Sequence, residues 1–145
     1  MTNEQVLLTQ KTFPISMTVA DATAIPKGTV LKIADPNTAS ASSAAQDLIA
    51  GIAYADKIAN DGCTQLAVLS GPGDELRAVA SGSITAGDAL VSAVSATSPS
   101  NMLSSAKAIL NLSGSRIIGY SKETATAGET FKYVLNISAP VTSGN

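Results

Sequence analysis

The 145-residue chain has no histidine, no tryptophan and one cysteine, Cys63. Without histidine it lacks the commonest acid–base group and the orienting member of most nucleophilic triads. A lone cysteine excludes an intramolecular disulfide and a cysteine-cluster metal site. Aromatics make up 3% of the residues: Phe13, Tyr54, Tyr120, Phe131 and Tyr133. Such a chain has little large apolar area to bury per ordered residue, and copies of itself or a bigger partner would supply the missing contact. The net charge is −2 with a pI near 4.9, and the nine Lys and Arg are dispersed, which argues against nucleic acid as a partner. No stretch approaches the ~18 consecutive apolar residues of a membrane helix, so no membrane partner is expected. The polar opening Met1-Thr-Asn-Glu-Gln5 does not read as a secretory signal, which fits synthesis in a reducing cytoplasm.

What the chain has is repetition. One phrase occurs as Ile25-Pro-Lys-Gly28-Thr-Val-Leu31, as Ile84-Thr-Ala-Gly87-Asp-Ala-Leu90 and as Ala125-Thr-Ala-Gly128-Glu-Thr-Phe131. In each, a glycine able to adopt positive φ reverses the chain just ahead of an alternating apolar run. A second phrase, Leu48-Ile-Ala-Gly51-Ile-Ala-Tyr54 and Arg116-Ile-Ile-Gly119-Tyr-Ser121, places its glycine inside a strand. Glycine there marks a bulge, a barrel corner or a close backbone approach. Both phrases recur in the same order from Gly28 to Leu69 and from Gly87 to Leu135, which predicts a pseudo-duplicated all-β domain. Seven to ten short strands with regular turn signals point to a compact β-sandwich or barrel-like fold with an extended N-terminal arm.

Residues 1–20 read as an arm and an edge strand, 21–138 as one β domain with two pseudo-repeats, and 139–145 as a frayed tail. Phe13, Ile15, Met17 and Val19 alternate with Pro14, Ser16 and Thr18, the pattern of a half-buried strand that lies at an edge or begins near Pro14. The Ala/Ser-rich stretches 34–46 and 94–107 read as surface loops, with a short helix conceivable at 101–108. Residues 64–70 and 75–80 flank Gly71-Pro-Gly-Asp74 and are expected to form a hairpin.

Little of this supports chemistry. Cys63 reads as a small apolar filler at a strand start, and Ser104-Ser-Ala-Lys107 as a chance Ser-x-x-Lys match in a serine-rich loop. Asp74-Glu75, the only adjacent acidic pair, lacks calcium-loop spacing and is expected on a solvated hairpin tip, so alanine there would be nearly silent. Gly71-Pro-Gly73 is followed by neither Lys-Ser/Thr nor a helix, so it is no phosphate cradle. Asp88 and Glu129, each just past a turn glycine, are expected to hydrogen-bond the turn backbone or face solvent. No catalytic residue, metal ligand or cofactor is assigned. Surfaces remain: Val6-Leu-Leu8 in an otherwise polar terminus, which docks either on its own domain or on something else, and the alternating Phe13/Ile15/Met17/Val19 face, which reads first as core and whose place at the chain start also suits strand addition to a neighbouring subunit or shell.

Taken together, Ile25-Pro-Lys-Gly28-Thr-Val-Leu31, Ile49-Ala-Gly51-Ile-Ala53, Ser83-Ile-Thr-Ala-Gly87-Asp-Ala-Leu90, Ile117-Ile-Gly119-Tyr and Thr126-Ala-Gly128-Glu-Thr-Phe-Lys-Tyr-Val-Leu135 resemble the capsid decoration (head-stabilisation or cement) proteins of tailed bacteriophages. The resemblance spans about residues 21–137. It implies a compact β-rich fold (β-tulip-like), homotrimers at local threefold positions on the outer surface of an icosahedral head, and the major capsid protein as partner. It also implies that the N-terminal segment reaches the shell, giving Val6, Leu7, Leu8, Phe13 and Ile15 as capsid-contact residues, with Gly28, Gly51, Gly87, Gly119 and Gly128 structural. On that basis removal of residues 1–10 would leave the domain folded and weaken attachment. The alternative is a head-fibre or adhesin module recognising a host glycan. A biotinyl or lipoyl carrier is rejected, because Lys57, Lys107 and Lys122 lack the carrier setting.

Overall fold

The computed structural model describes residues 5–42, 48–93, 102–105 and 117–137. The regular elements among them are strands: β1 (Val6–Thr9), β2 (Ile15–Thr18), β3 (Val30–Asp35), β4 (Thr38–Ala41), β5 (Ile49–Ala53), β6 (Gln65–Leu69), β7 (Glu75–Ala80), β8 (Ala89–Ala93), β9 (Met102–Ser105), β10 (Gly119–Ser121) and β11 (Thr130–Leu135). No helix among the described residues is long and apolar enough to cross a membrane.

Four turns organise these strands, facing each other in pairs. Ile25 bridges Lys57, and Ile84 bridges Ala125. Three residues beyond each bridge the backbone swings to positive φ, at Gly28 (87°), Asn60 (60°), Gly87 (93°) and Gly128 (87°). Asparagine is among the few other residues that tolerate this region, so Lys57-Ile-Ala-Asn60 is a fourth copy of the turn phrase without its glycine. One residue past each bridge, the backbone N–H needs a partner, and a carboxylate three positions on supplies it. Thr85 N–H donates to Asp88 (2.9 Å), Thr126 N–H to Glu129 (2.8 Å) and Ile58 N–H to Asp61 (3.4 Å). In the first turn that residue is Pro26, which has no N–H. Thr29 stands where the others carry an acid, and its hydroxyl donates to the Pro26 carbonyl instead (2.6 Å).

Strands launched from these turns close into two barrels of one topology. The first runs β2-β4-β3-β5-β6 and back to β2. The second runs β7-β9-β8-β10-β11 and back to β7, closed by the parallel contact of Val79 with Met102 and Ala80 with Leu103. Registers match as well as order. Ile52 sits between Val30 and Leu69 as Tyr120 sits between Ala89 and Val134. Gly51 faces Leu31 as Gly119 faces Leu90. β1 is extra: it lies antiparallel to β7 on the edge away from β11.

The first barrel is filled by Met17, Val19, Leu31, Leu66 and Val68 with small neighbours. The second holds a larger cluster, including Leu76, Leu90, Leu103, Phe131, Tyr133 and Leu135. Val30, Ile49, Ile52 and Leu69 join that second cluster from the outward-facing side of the first barrel, so one apolar body fills barrel two and cements the pair. A buried hydrogen bond between the Ser42 and Ser92 hydroxyls (3.0 Å) crosses the same junction.

Three sequence expectations are corrected here. β6 and β7 do not form a hairpin: they belong to different barrels, and residues 71–74 are the crossover. Gly73 N–H and the Asp74 carbonyl both bond to Leu135 at the end of β11 (2.9 and 2.7 Å), which pins the crossover to barrel two. The Ala/Ser stretch after residue 34 contains β4, turned back on β3 through Pro36-Asn37 with Asn37 at φ 55°. Met102–Ser105 is strand rather than helix, because it pairs with β8 along its length. Residues 106–116 and 138–145, including Lys107 of the Ser-x-x-Lys match and the tail, lie outside the described residues.

Candidate docking surfaces

The N-terminal segment is part of the domain's own fold. β1 pairs Val6 with Arg77, Leu7 with Leu76 and Thr9 with Glu75. Leu7 packs partly buried on the barrel-two cluster. Ahead of it Gln5 is buried and accepts a hydrogen bond from the Tyr133 hydroxyl, while its N–H donates to the Gly28 carbonyl (3.2 Å). Burial pushes the Tyr133 phenol far above its ordinary value, so it stays a donor across the working pH range. Gly28 is required at this point, because a Cβ there would overlap the Gln5 backbone.

Asp74 anchors the other end of the segment. The expectation of a solvated tip is wrong for this residue, which is fully buried. Its carboxyl accepts from the backbone N–H of Lys11, from the N–H of Thr12 (3.1 Å) and from the Thr12 hydroxyl (2.7 Å). Glu75 beside it points outward and meets Lys122 (2.6 Å), which holds its carboxyl below the ordinary range. Sequence reasoning missed Asp74 because its partners are some sixty residues away and mostly backbone.

These anchors divide the five predicted contact residues. Leu7 and Leu8 are half-buried on this domain, and Val6 is exposed on β1. Phe13, 91% exposed, stands free just beyond Thr12, and Ile15 opens β2 directly after Pro14. Of the alternating face only Met17 and Val19 reach the core.

Other groups that drew attention in the sequence are structural or bare. Lys57 is buried, and its ammonium meets Asp61 (3.0 Å), Asp21 (3.4 Å) and the carbonyls of Asp21 and Ile58. Burial alone would lower its pKa, yet Asp61 and Asp21 outweigh that and raise it. Asp61 is held below its ordinary range by the Cys63 N–H and by Lys57. Cys63 is exposed rather than a filler. Among the described residues no three His, Cys, Asp or Glu side chains cluster to hold a metal ion. A groove of about 380 Å³ runs along barrel two between Thr9, Lys11, Glu75, Tyr120, Lys122 and Val134. Tyr120 stands exposed at its side.

No protein-family description matches this sequence, and no curated protein does. Among solved structures the chain is similar to the N base of the head fibre protein gp8.5 of bacteriophage phi29. The similarity covers 84% of this chain and 92% of that one, at 17% identity and a TM-score of 0.51. At that identity the shared property is the fold.

Proposed function

We propose that the chain is a structural protein of a bacteriophage head, a decoration protein that seats on the outer surface and clamps neighbouring major capsid subunits as a homotrimer. The observation that carries this reading is the fold it shares, over most of both chains, with the base of a phage head fibre. The ring of Phe13, exposed just beyond the Thr12 that Asp74 ties down, supplies an apolar contact for a shell. Many such copies on one lattice sum by avidity, so each contact can be modest. Leu7 is left out of the proposed contact set, since it packs on this domain's own core. The head-fibre likeness also favours a second reading, a fibre base that presents a glycan-recognising module.

Mixing purified protein with undecorated phage shells tests the first reading. Saturable binding at a fixed ratio to the capsid subunit, lost with Phe13→Asp, is expected. Shells that take up no protein would contradict the first reading, and shell binding together with binding to host glycans would replace it with the second.

A further inference from the structure

We propose that a second copy of this chain docks on barrel one in the way that barrel one docks on barrel two within each copy. The proposal rests on the reading that copies associate, and it names the two surfaces that meet. Within one chain the junction has a donor and an acceptor. The donor is the outward face of barrel one, Val30, Ile49, Ile52 and Leu69. The acceptor is the mouth of barrel two, where Leu76 and Ser92 lie with Leu7 of β1; Ile52 and Leu76 line one small cavity there.

Because the barrels share topology and register, each half of this junction has an equivalent elsewhere on the chain. The donor equivalents on barrel two are Ala89, Ile117, Tyr120 and Val134, and Tyr120 is 46% exposed where Ile52 is 2%. The acceptor equivalents on barrel one are Ile15, opposite Val68 as Leu76 is opposite Tyr133, and Ile33, opposite Ala39 as Ser92 is opposite Leu103. Ile15 is 50% exposed against 1% for Leu76, and Ile33 45% against full burial of Ser92. Leu48, whose carbonyl accepts from the Ile33 N–H, is exposed beside them. Four of the seven large exposed hydrophobics among the described residues, Ile15, Ile33, Leu48 and Tyr120, fall on these two unmated halves. That concentration is what separates them from ordinary scattered surface apolar residues.

The strand edges agree. On β7 the edge away from β11 is covered by β9 at Val79–Ala80 and by β1 at Glu75–Arg77. On β2 the matching edge is met by β4 at Thr18, and no described strand covers Ile15 to Met17. An open strand edge beside an apolar mouth is a surface built to be covered. Donor and acceptor are different patches, so the contact is head-to-tail, the kind that builds a ring when its rotation closes.

Cysteine pairing in a Cys63→Ser background tests this on the protein alone, without any shell. Copies carrying Ile15→Cys are mixed with copies carrying Tyr120→Cys under mild oxidation. The mixed disulfide is expected, because the equivalent Leu76 and Ile52 share a cavity. In parallel, Ile33→Asp or Tyr120→Asp is expected to weaken self-association roughly a hundredfold by placing an unpaired charge in the contact, with circular dichroism unchanged. Ile58→Asp, exposed but outside both patches, leaves it unchanged. A wild-type protein monomeric at all concentrations, or Ile15→Cys copies that couple to each other in preference to Tyr120→Cys, would overturn the proposal. Shell binding by a monomer would then leave the head-protein reading standing.

Discussion

Asp74 holds three donors of the N-terminal segment with one carboxyl group, and all of them would be left without that partner by Asp74→Ala. Removing a buried acceptor costs more than the bond is worth, because the donors stay desolvated. The expected loss is about 2–3 kcal/mol, read as a lower urea midpoint, whereas Glu75→Ala, at a partly solvated ion pair, is expected to stay within about 0.5 kcal/mol. Equal effects from the two would contradict the assignment. Gly51 and Gly119 occupy equivalent places, and a Cβ on either would overlap a carbonyl oxygen of the adjacent strand, Leu69 or Val134. Gly51 adds a φ of 151°, disfavoured for side-chain-bearing residues. Gly51→Val and Gly119→Val are each expected to cost about 3 kcal/mol or more, a fall in melting temperature on the order of 10 °C. Acid titrates two turn carboxylates and the Glu75 side chain at the start of β7. Asp61, Glu75 and Glu129 all have folded pKa values below their ordinary ones. Their contribution is therefore present above the unfolded value near ~4 and lost as pH falls through the folded values. Urea midpoints are expected to agree at pH 7 and pH 5.5 and to drop at pH 3; a midpoint higher at pH 3 would reverse the sign.

At the scale of elements, β1 behaves as a strand of the fold. Deleting residues 1–10 strips Leu7 from the core and leaves the buried Tyr133 hydroxyl and the β7 edge without their partners. The truncated chain is expected to melt earlier and to expose apolar surface to a hydrophobic dye; an unchanged melt would show β1 to be dispensable. Sequence reasoning took this segment for an arm because Val6-Leu-Leu8 has no partner nearby in the chain, and β7 lies some seventy residues on. Elements with strong alternation or a turn glycine, such as β2, β3, β7 and β11, were legible. β4 and β9 were not, since Thr-Ala-Ser-Ala and Met-Leu-Ser-Ser carry little apolar contrast. The fourth turn was hidden because Asn60 does the work of glycine there. The hairpin expected across residues 71–74 failed for a similar reason: proximity in sequence favoured local pairing, while Asp74 and Leu135 carry the chain to the other barrel.

Across the whole molecule the duplication was readable from two glycine phrases, yet its form as two closed barrels was not. Strand order depends on which edges meet, and the crossover from β6 to β7 leaves no mark in residue spacing. The exposed apolar rims are likewise invisible in the sequence, because Ile15, Ile33 and Tyr120 occupy positions that are buried in the other barrel. A chain with so few aromatics still fills one good core by lending the outside of one barrel to the inside of the other. The same economy would extend to the proposed contact between copies and to the proposed seat on a shell, where repetition replaces large individual contacts. The most direct test of the head-protein account is electron cryomicroscopy of phage shells with and without the added protein. The account predicts new two-lobed density on the outer surface, at symmetry-related positions spanning neighbouring capsid subunits. Shells whose outer density is the same with and without the protein would contradict it.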